Sequence, residues 1–266
     1  MSDRVACPVI PGSTAAKKNV PGPYREPPPF FRYPAPPMEM FEPERHLPRQ
    51  SRFSGASSTA TAPLPLYLAA RLNPGVTLIP RKEDCHALWD QYAMLDNIRA
   101  HSTLVAEMAQ AIGRRAREIG LNVSPEALLA AGLLHDLGKT YTIAHGGSHA
   151  QIGAAWVMRE TRNGPIARTV MFHVHWPWQE DLLYEEEMLL PAIILYSDKR
   201  VKHDAYVGLD ERFEDLLVRY GVNDDAKEKI TASHMQGKHV ESALSRRLEV
   251  ELHEYTADSG RLVKRA

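Results

Sequence analysis

The sequence predicts an all-α core behind a proline-rich arm, and three observations carry that prediction. After Glu83, apolar residues recur at three- and four-residue spacing, the period of a helix with one buried face. The strict alternation that marks a half-buried strand is nearly absent there. Sixteen of the 20 prolines fall in residues 1–80, where Pro27-Pro28-Pro29 and Pro34-x-Pro36-Pro37 fix the backbone as extended and remove amide donors. The chain therefore divides into a largely disordered arm at 1–60, a lead-in at 61–82, a helical domain at 83–221 and a charged helical extension at 222–266. The Ser/Ala/Thr run Ser51–Thr61 has little to bury and belongs with the arm.

The elements follow in order. Glu83–Tyr92 reads as a short helix. Leu95–Ile119 is the next, with Ile98, Val105, Met108 and Ile112 on one face and Gly120 to close it. Ser124-Pro125-Glu126 supplies an N-cap, a proline at the first helical position and an early acid. The helix it opens runs through Ala127–Leu137 and stops at Gly138. Ser148–Glu160 and Pro165–His173 are two more helices, and Met188–His203 carries an apolar stripe. Leu209–Tyr220 ends at Gly221, and Asp224–Tyr255 forms one long charged helix or two.

Composition narrows the function. The formal net charge is −1, from 32 basic and 33 acidic residues, with the arm mildly basic and the core mildly acidic. That balance disfavours a nucleic-acid binder that works through overall charge, and a polybasic membrane protein. No apolar run approaches ~18 residues, the length of a membrane span, and no stretch near the start has signal-peptide character. Cys7 and Cys85 are the only cysteines, which excludes a disulfide framework and a cysteine zinc site and makes a reducing cytoplasm the expected location.

Polar residues interrupt three of the apolar stripes. His101 shares a face with Ile98, Val105 and Met108. His135 is in register with Leu128 and Ala131, and Asp136 with Leu129 and Leu133. Asp198 stands in the stripe of Leu190, Ile194 and Val201. A buried carboxylate needs a proton, a cation or a metal. Taken singly, His101 is a hydrogen-bonded core histidine and Asp198 a partner for Lys199 or Arg200. His135 and Asp136 point about 100° apart on a helix and reach one centre only near a helix end, which Gly138 provides. Three such interruptions on three helices point to a mixed histidine and carboxylate site for one or two divalent ions, Mn, Fe, Co, Ni or Zn.

The motifs His101-Ser-x-x-Val-Ala, His135-Asp136-Leu137-Gly138-Lys139 and Tyr-Ser-Asp198-Lys-Arg-Val stand in the order His…His-Asp…Asp. This set resembles the HD-domain metal-dependent phosphohydrolases, in particular the stand-alone HDIG-type branch, with Leu137 in place of the usual Ile. The resemblance covers roughly Glu83–Tyr220. It implies an all-α domain in which His101, His135, Asp136 and Asp198 hold a metal and Asp136 bridges to a second. The positions of His149 and His173 match the additional ligands of two-metal members; His175 is an alternative to His173. The resemblance also places the Lys139 cation beside a phosphate oxygen, which makes Asp136 and Lys139 the catalytic pair, with His145 and Arg200 as further sources of positive charge. His203-Asp204 repeats the HD letters without a ligand cluster and reads as a helix-end pair.

The expected activity is hydrolysis of a phosphomonoester or phosphodiester, on a phosphorylated small molecule such as a nucleotide, by metal-activated water. The stretch His173-Val-His-Trp-Pro-Trp-Gln lacks the Gly-Tyr-Pro of cyclic di-GMP hydrolases. Lys139-Thr140 stands where guanosine-tetraphosphate hydrolases have Glu-Asp, and Gly138-Lys139 where bacterial nucleoside monophosphatases have Pro-Glu. The competing reading is a non-catalytic metal- or nucleotide-binding signalling module, with the proline-rich arm as a ligand for a partner domain.

Overall fold

The computed structural model describes residues 78–175 and 183–265. The expectations for the arm at 1–60, for most of the lead-in and for the Trp176-Pro177-Trp178 loop fall outside the described residues. Nine helices run in order among the described residues: α1 Lys82–Gln91, α2 Asp96–Glu118, α3 Pro125–Leu134, α4 Lys139–His145, α5 His149–Thr161, α6 Gly164–Met171, α7 Leu189–Lys199, α8 Leu209–Tyr220 and α9 Asp224–Leu248. The domain is all-α apart from two small antiparallel ribbons, β1 Val201–Lys202 with β2 Ala205–Tyr206, and β3 Tyr255–Asp258 with β4 Arg261–Lys264. Among the described residues, no helix is long and apolar enough to cross a membrane.

The cap at Ser124 falls where the sequence places it, and the structure adds two more. Ser124 accepts a hydrogen bond from the Ala127 amide at 3.0 Å and opens α3, and Ser148 and Asn163 do the same for α5 and α6. Each satisfies one of the orphan amides of a first turn. Helix α2 is the axis of the domain. Its face of Ile98, Val105, Met108 and Ile112 is buried, and it packs on α3 and α7. Helix α3 is apolar nearly all round, with Leu128, Ala131, Leu133 and Leu134 buried, because α1, α2, α6 and α7 surround it.

Two glycines set how closely these helices approach. A Cβ at Gly132 would stand 2.4 Å from the Ala106 Cα, so α3 rests on the backbone of α2. At Gly138 a Cβ would stand 2.5 Å from the His149 carbonyl oxygen, which brings the start of α5 against the end of the HD segment. Any larger residue at either place collides with main chain.

The structure corrects several expected boundaries. Helix α3 ends at Leu134 instead of Leu137, and four residues of turn lead directly into α4, a helix the sequence does not predict. Helix α7 stops at Lys199, and residues 201–206 form a hairpin whose turn residue His203 has φ 57°. Beyond Leu248 the predicted helical extension gives way to the β3–β4 hairpin, because Glu249 turns left-handed at φ 56°. Ser259 and Gly260, at φ 49° and 69°, make the two-residue turn that suits a twisted hairpin. That Ser-Gly pair was the available signal.

Arg200 explains why both departures hang together. Its guanidinium is buried and donates to the carbonyls of Val207, Leu252 and Tyr255 at 2.6, 3.0 and 2.7 Å, and to the Tyr196 hydroxyl. One cation thus ties α7 to the short hairpin and to the C-terminal segment. A charge desolvated this far stays only where acceptors surround it.

Candidate metal centre

The centre lies where α2, α3, α5, α6 and α7 meet. His101 comes from the first turns of α2, His135 and Asp136 from the turn after α3, His149 from the first residue of α5, His173 from just beyond α6, and Asp198 from the last turn of α7. His135, Asp136 and His173 are fully buried; His101 and Asp198 are nearly so. The six residues named from the sequence therefore converge. Their donor atoms form two triads with Asp136 in common, His101–His135–Asp136 and Asp136–His149–His173, each with its atoms within 4.8 Å of one another.

Asp198 Oδ1 stands 2.9 Å from His101 Nε2 and 3.7 Å from His135 Nε2, so it borders the first triad on the side of its two histidines. His135 Nε2 lies 3.4 Å from Asp136 Oδ2. On the other side, Asp136 Oδ1 is 3.3 Å from His149 Nε2 and 3.7 Å from His173 Nε2, and the two histidine nitrogens are 3.1 Å apart. For an ion with bonds of ~2.1 Å, neighbouring donors sit roughly 3.0 Å apart at right angles and roughly 3.4 Å apart at tetrahedral angles. The separations of 2.9 to 3.4 Å match donors around one ion on each side of Asp136, and the two of 3.7 Å are wider.

Hydrogen bonding gives an independent test of that fit. His135 Nδ1 donates to the Gly132 carbonyl at 2.7 Å, and His173 Nδ1 to the Val170 carbonyl at 2.6 Å. Both rings are thereby fixed with Nε2 facing the centre, as in metal-binding histidines, whose other ring nitrogen donates to a carbonyl or carboxylate. His135 Nε2 and Asp136 Oδ1 are buried and have no hydrogen-bond partner. Orphaned buried polar atoms are costly, and here a nitrogen and a carboxylate oxygen share one small space. The donor set, four imidazoles and two carboxylates, suits a first-row divalent ion.

Electrostatics point the same way. Burial opposes charge on Asp136 and Asp198, but His135 and Lys139 beside the first, and Lys199 and His101 beside the second, hold both pKa values well below the usual carboxylate range. Burial also opposes charge on His135, yet the two carboxylates outweigh it and push its pKa up to about 9. Lys139 and Lys199 each answer one of the two ionised carboxylates, and a proton on His135 or a metal ion would add positive charge between them. His149 faces less negative charge, and burial pushes its pKa down to about 4.

The remaining expected residues divide. Lys139 opens α4 and places Nζ 2.7 Å from Asp136 Oδ2, with part of its side chain exposed to a cleft of about 430 Å³ beside His101 and Asp136. Burial works against its charge, but Asp136 and Asp198 raise its pKa, so it is an ammonium at neutral pH. Lys199 bonds Asp198 Oδ2 at 2.5 Å with its side chain only partly exposed, and Arg200 is buried. Of the two partners the sequence offers Asp198, Lys199 makes the contact, and Arg200 is structural. His145 packs on the Tyr141 ring at 4.4 Å, and His175 is exposed while His173 occupies the centre.

Sequence reading missed the rest of the cleft. Arg212, Arg219 and Tyr220 on α8 line it, as do His203 and Asp204 from the β1–β2 turn. The spacing of Arg212 and Arg219, seven residues apart on a short helix, was the available signal, since it puts both on one face.

Residues 98–197 match the HD domain family. Ribonuclease Y of Fervidobacterium nodosum is 42% identical over 104 residues, 39% of this chain and 19% of that protein. Ribonuclease Y of Opitutus terrae is 29% identical over 122 residues, 46% of this chain and 22% of that protein. Ribonuclease Y of Aquifex aeolicus is 29% identical over 153 residues, 55% of this chain and 25% of that protein. The chain thus spans about a fifth to a quarter of the length of these relatives. No solved structure matches it.

Proposed function

We propose that this chain, whose residues 98–197 carry an HD domain, is a metal-dependent phosphohydrolase that cleaves phosphodiester bonds, with RNA as the substrate class. The observation that carries the reading is the pair of donor triads sharing Asp136, with His135 Nε2 and Asp136 Oδ1 buried and unpartnered between them. His101, His135, Asp136 and Asp198 would hold one divalent ion, and Asp136, His149 and His173 a second. Such ions supply a water ionised near neutral pH and polarise a phosphoryl oxygen.

The chain's own residues do the remaining work. The backbone carbonyls of Gly132 and Val170 hold the His135 and His173 rings in one tautomer and one orientation. Helices α2, α3 and α7 exclude bulk water from the inner side, which strengthens every charge interaction there. Lys139 keeps an ammonium at the cleft wall, in place to offset the charge that develops on the phosphoryl oxygens in the transition state.

The name of the relatives and the local charge of the cleft support RNA over a free nucleotide. The sequence expectation that disfavoured nucleic acid rested on net charge. Lys139, Arg212 and Arg219 together line one cleft, and overall neutrality does not dilute a local field over the ~10 Å of a Debye length.

The test is turnover by the full chain loaded with Mn, Co, Ni or Zn, against an aryl phosphodiester, mononucleotides, cyclic nucleotides and short oligoribonucleotides. Hydrolysis of the diesters that Asp136→Asn abolishes is the expected result. A fully metal-loaded chain that turns over none of these, yet binds a nucleotide tightly, would place it with the signalling modules.

A further inference from the structure

Arg212 and Arg219 stand two turns apart on α8, so they share a face and lie ~10 Å apart along the axis. Both line the cleft that holds His101, Asp136 and Lys139. One carboxylate serves both: Asp215 Oδ2 is 3.5 Å from a guanidinium nitrogen of each. The Arg212 side chain is only 14% exposed, and its Nε is buried with no hydrogen-bond partner among the described residues. Arg212 also lies close enough to Lys139 to push against that ammonium's charge. Two cations held side by side with an unused donor are the state an anion relieves.

The outer end of this row is different in kind. Tyr220 is 53% exposed, with the Arg219 guanidinium 5.1 Å from its ring centroid. Ile143, on α4, is 67% exposed in the same cleft. An aromatic ring, a guanidinium plane and an aliphatic side chain left uncovered beside a row of cations are the materials of a stacking platform for a base. A single phosphate would need none of them.

We propose that the α8 face carrying Arg212, Arg219 and Tyr220 is a subsite for the nucleotide adjoining the scissile phosphodiester. Arg212 holds the neighbouring phosphate, and Tyr220 with Arg219 stacks the attached base. The proposal rests on the phosphodiesterase reading above and adds what that reading lacks, a source of preference for a strand over a small ester. Positions 212–220 lie beyond the segment that matches the HD family, so the preference belongs to the part of the chain that follows the shared domain.

The experiment compares kcat/KM of the Mn-loaded full chain on bis(p-nitrophenyl) phosphate, a diribonucleotide and a pentaribonucleotide. A parallel anisotropy measurement uses a fluorescent pentaribonucleotide with phosphorothioate linkages. For the wild type, kcat/KM rises with strand length. Tyr220→Ala and Arg219→Ala cut the ratio of pentaribonucleotide to aryl diester by about tenfold, the typical value of one stacked base, mainly through KM. Both weaken binding of the phosphorothioate strand by a similar factor, Tyr220→Phe restores it, and Arg212→Gln lowers both ribonucleotides relative to the aryl diester. Equal losses on all three substrates, no gain with length, or unchanged strand binding in Arg219→Ala overturns the subsite. Failure to hydrolyse even the aryl diester counts against the phosphohydrolase reading, while the anisotropy result still decides the subsite.

Discussion

The His101 side of the centre and the His149 side share Asp136 but are held in different ways. On the first, His101 and Asp198 come from helices and His135 from the turn that ends α3, with apolar faces packed around them, and all are buried. On the second, His149 is the first residue of α5, is 29% exposed on its side chain, and reaches Asp136 only because Gly138 lets α5 approach. The inner side is therefore an outcome of core packing; on the outer side His173 is buried in the same way, but His149 hangs on one close backbone contact. A ligand that the core positions is fixed whenever the domain folds, whereas one at a helix start can be lost without unfolding it.

Breaking the shared residue has the largest expected effect. Asp136→Ala removes a donor from both sides, so turnover should fall below about a thousandth of wild type, beyond the ~10²–10³ of one lost preorganised donor. Metal content should fall with it, while far-UV circular dichroism keeps the helical signal. Wild-type turnover in this variant would end the two-triad reading.

Lys139→Ala comes next. It leaves every donor of both triads in place, so metal content measured by mass spectrometry should persist while kcat drops by ~10²–10³. A rise in KM at constant kcat would instead assign Lys139 to substrate anchoring.

The glycines separate the two sides directly. Gly138→Ala should push α5 away and lower metal content from two ions per chain towards one, as His149→Ala should. Gly132→Ala forces α3 from α2 and should cost ~1–3 kcal/mol of stability, as overpacking does, and disturb the inner ion first. Thermal melts with metal counting distinguish them; a Gly138→Ala chain that keeps two ions would show that the outer side does not depend on that contact.

The smallest effect is in protons. In the chelated chain, His135 is raised to about 9, so its contribution to stability is complete below its ordinary pKa of ~6.5 and is lost as pH rises through about 9. His149 is lowered to about 4, so its neutral ring costs nothing above pH ~6.5, and stability is lost as pH falls from there towards about 4. Loading the inner side at pH 7.5 should release close to one proton, and loading the outer side almost none, readable by titration calorimetry in buffers of different ionisation enthalpy. Equal release in wild type and His149→Ala is the expected pattern, and release that halves in His149→Ala would contradict the assignment.

Helix period alone carried much of this protein. The cap at Ser124 follows from the orphan amides of a first turn; the buried face of α2 and the place of His101 within it follow from 3.6 residues per turn and the cost of exposing apolar surface, all local properties of the chain. The same register marked His135, Asp136 and Asp198 as polar groups on core-facing positions. What the register could not say is which of these groups meet. The choice of His173 over His175 depends on where α6 ends against α3. The burial of Arg200 depends on carbonyls up to 55 residues away at Tyr255. The row of Arg212, Arg219 and Tyr220 over the centre depends on how α8 crosses the mouth of a cleft opened by α2 and α4. Periodicity fixes the face of each element that turns inward. Partners separated by dozens of residues are chosen by packing whole elements together, and only the tertiary structure contains that choice.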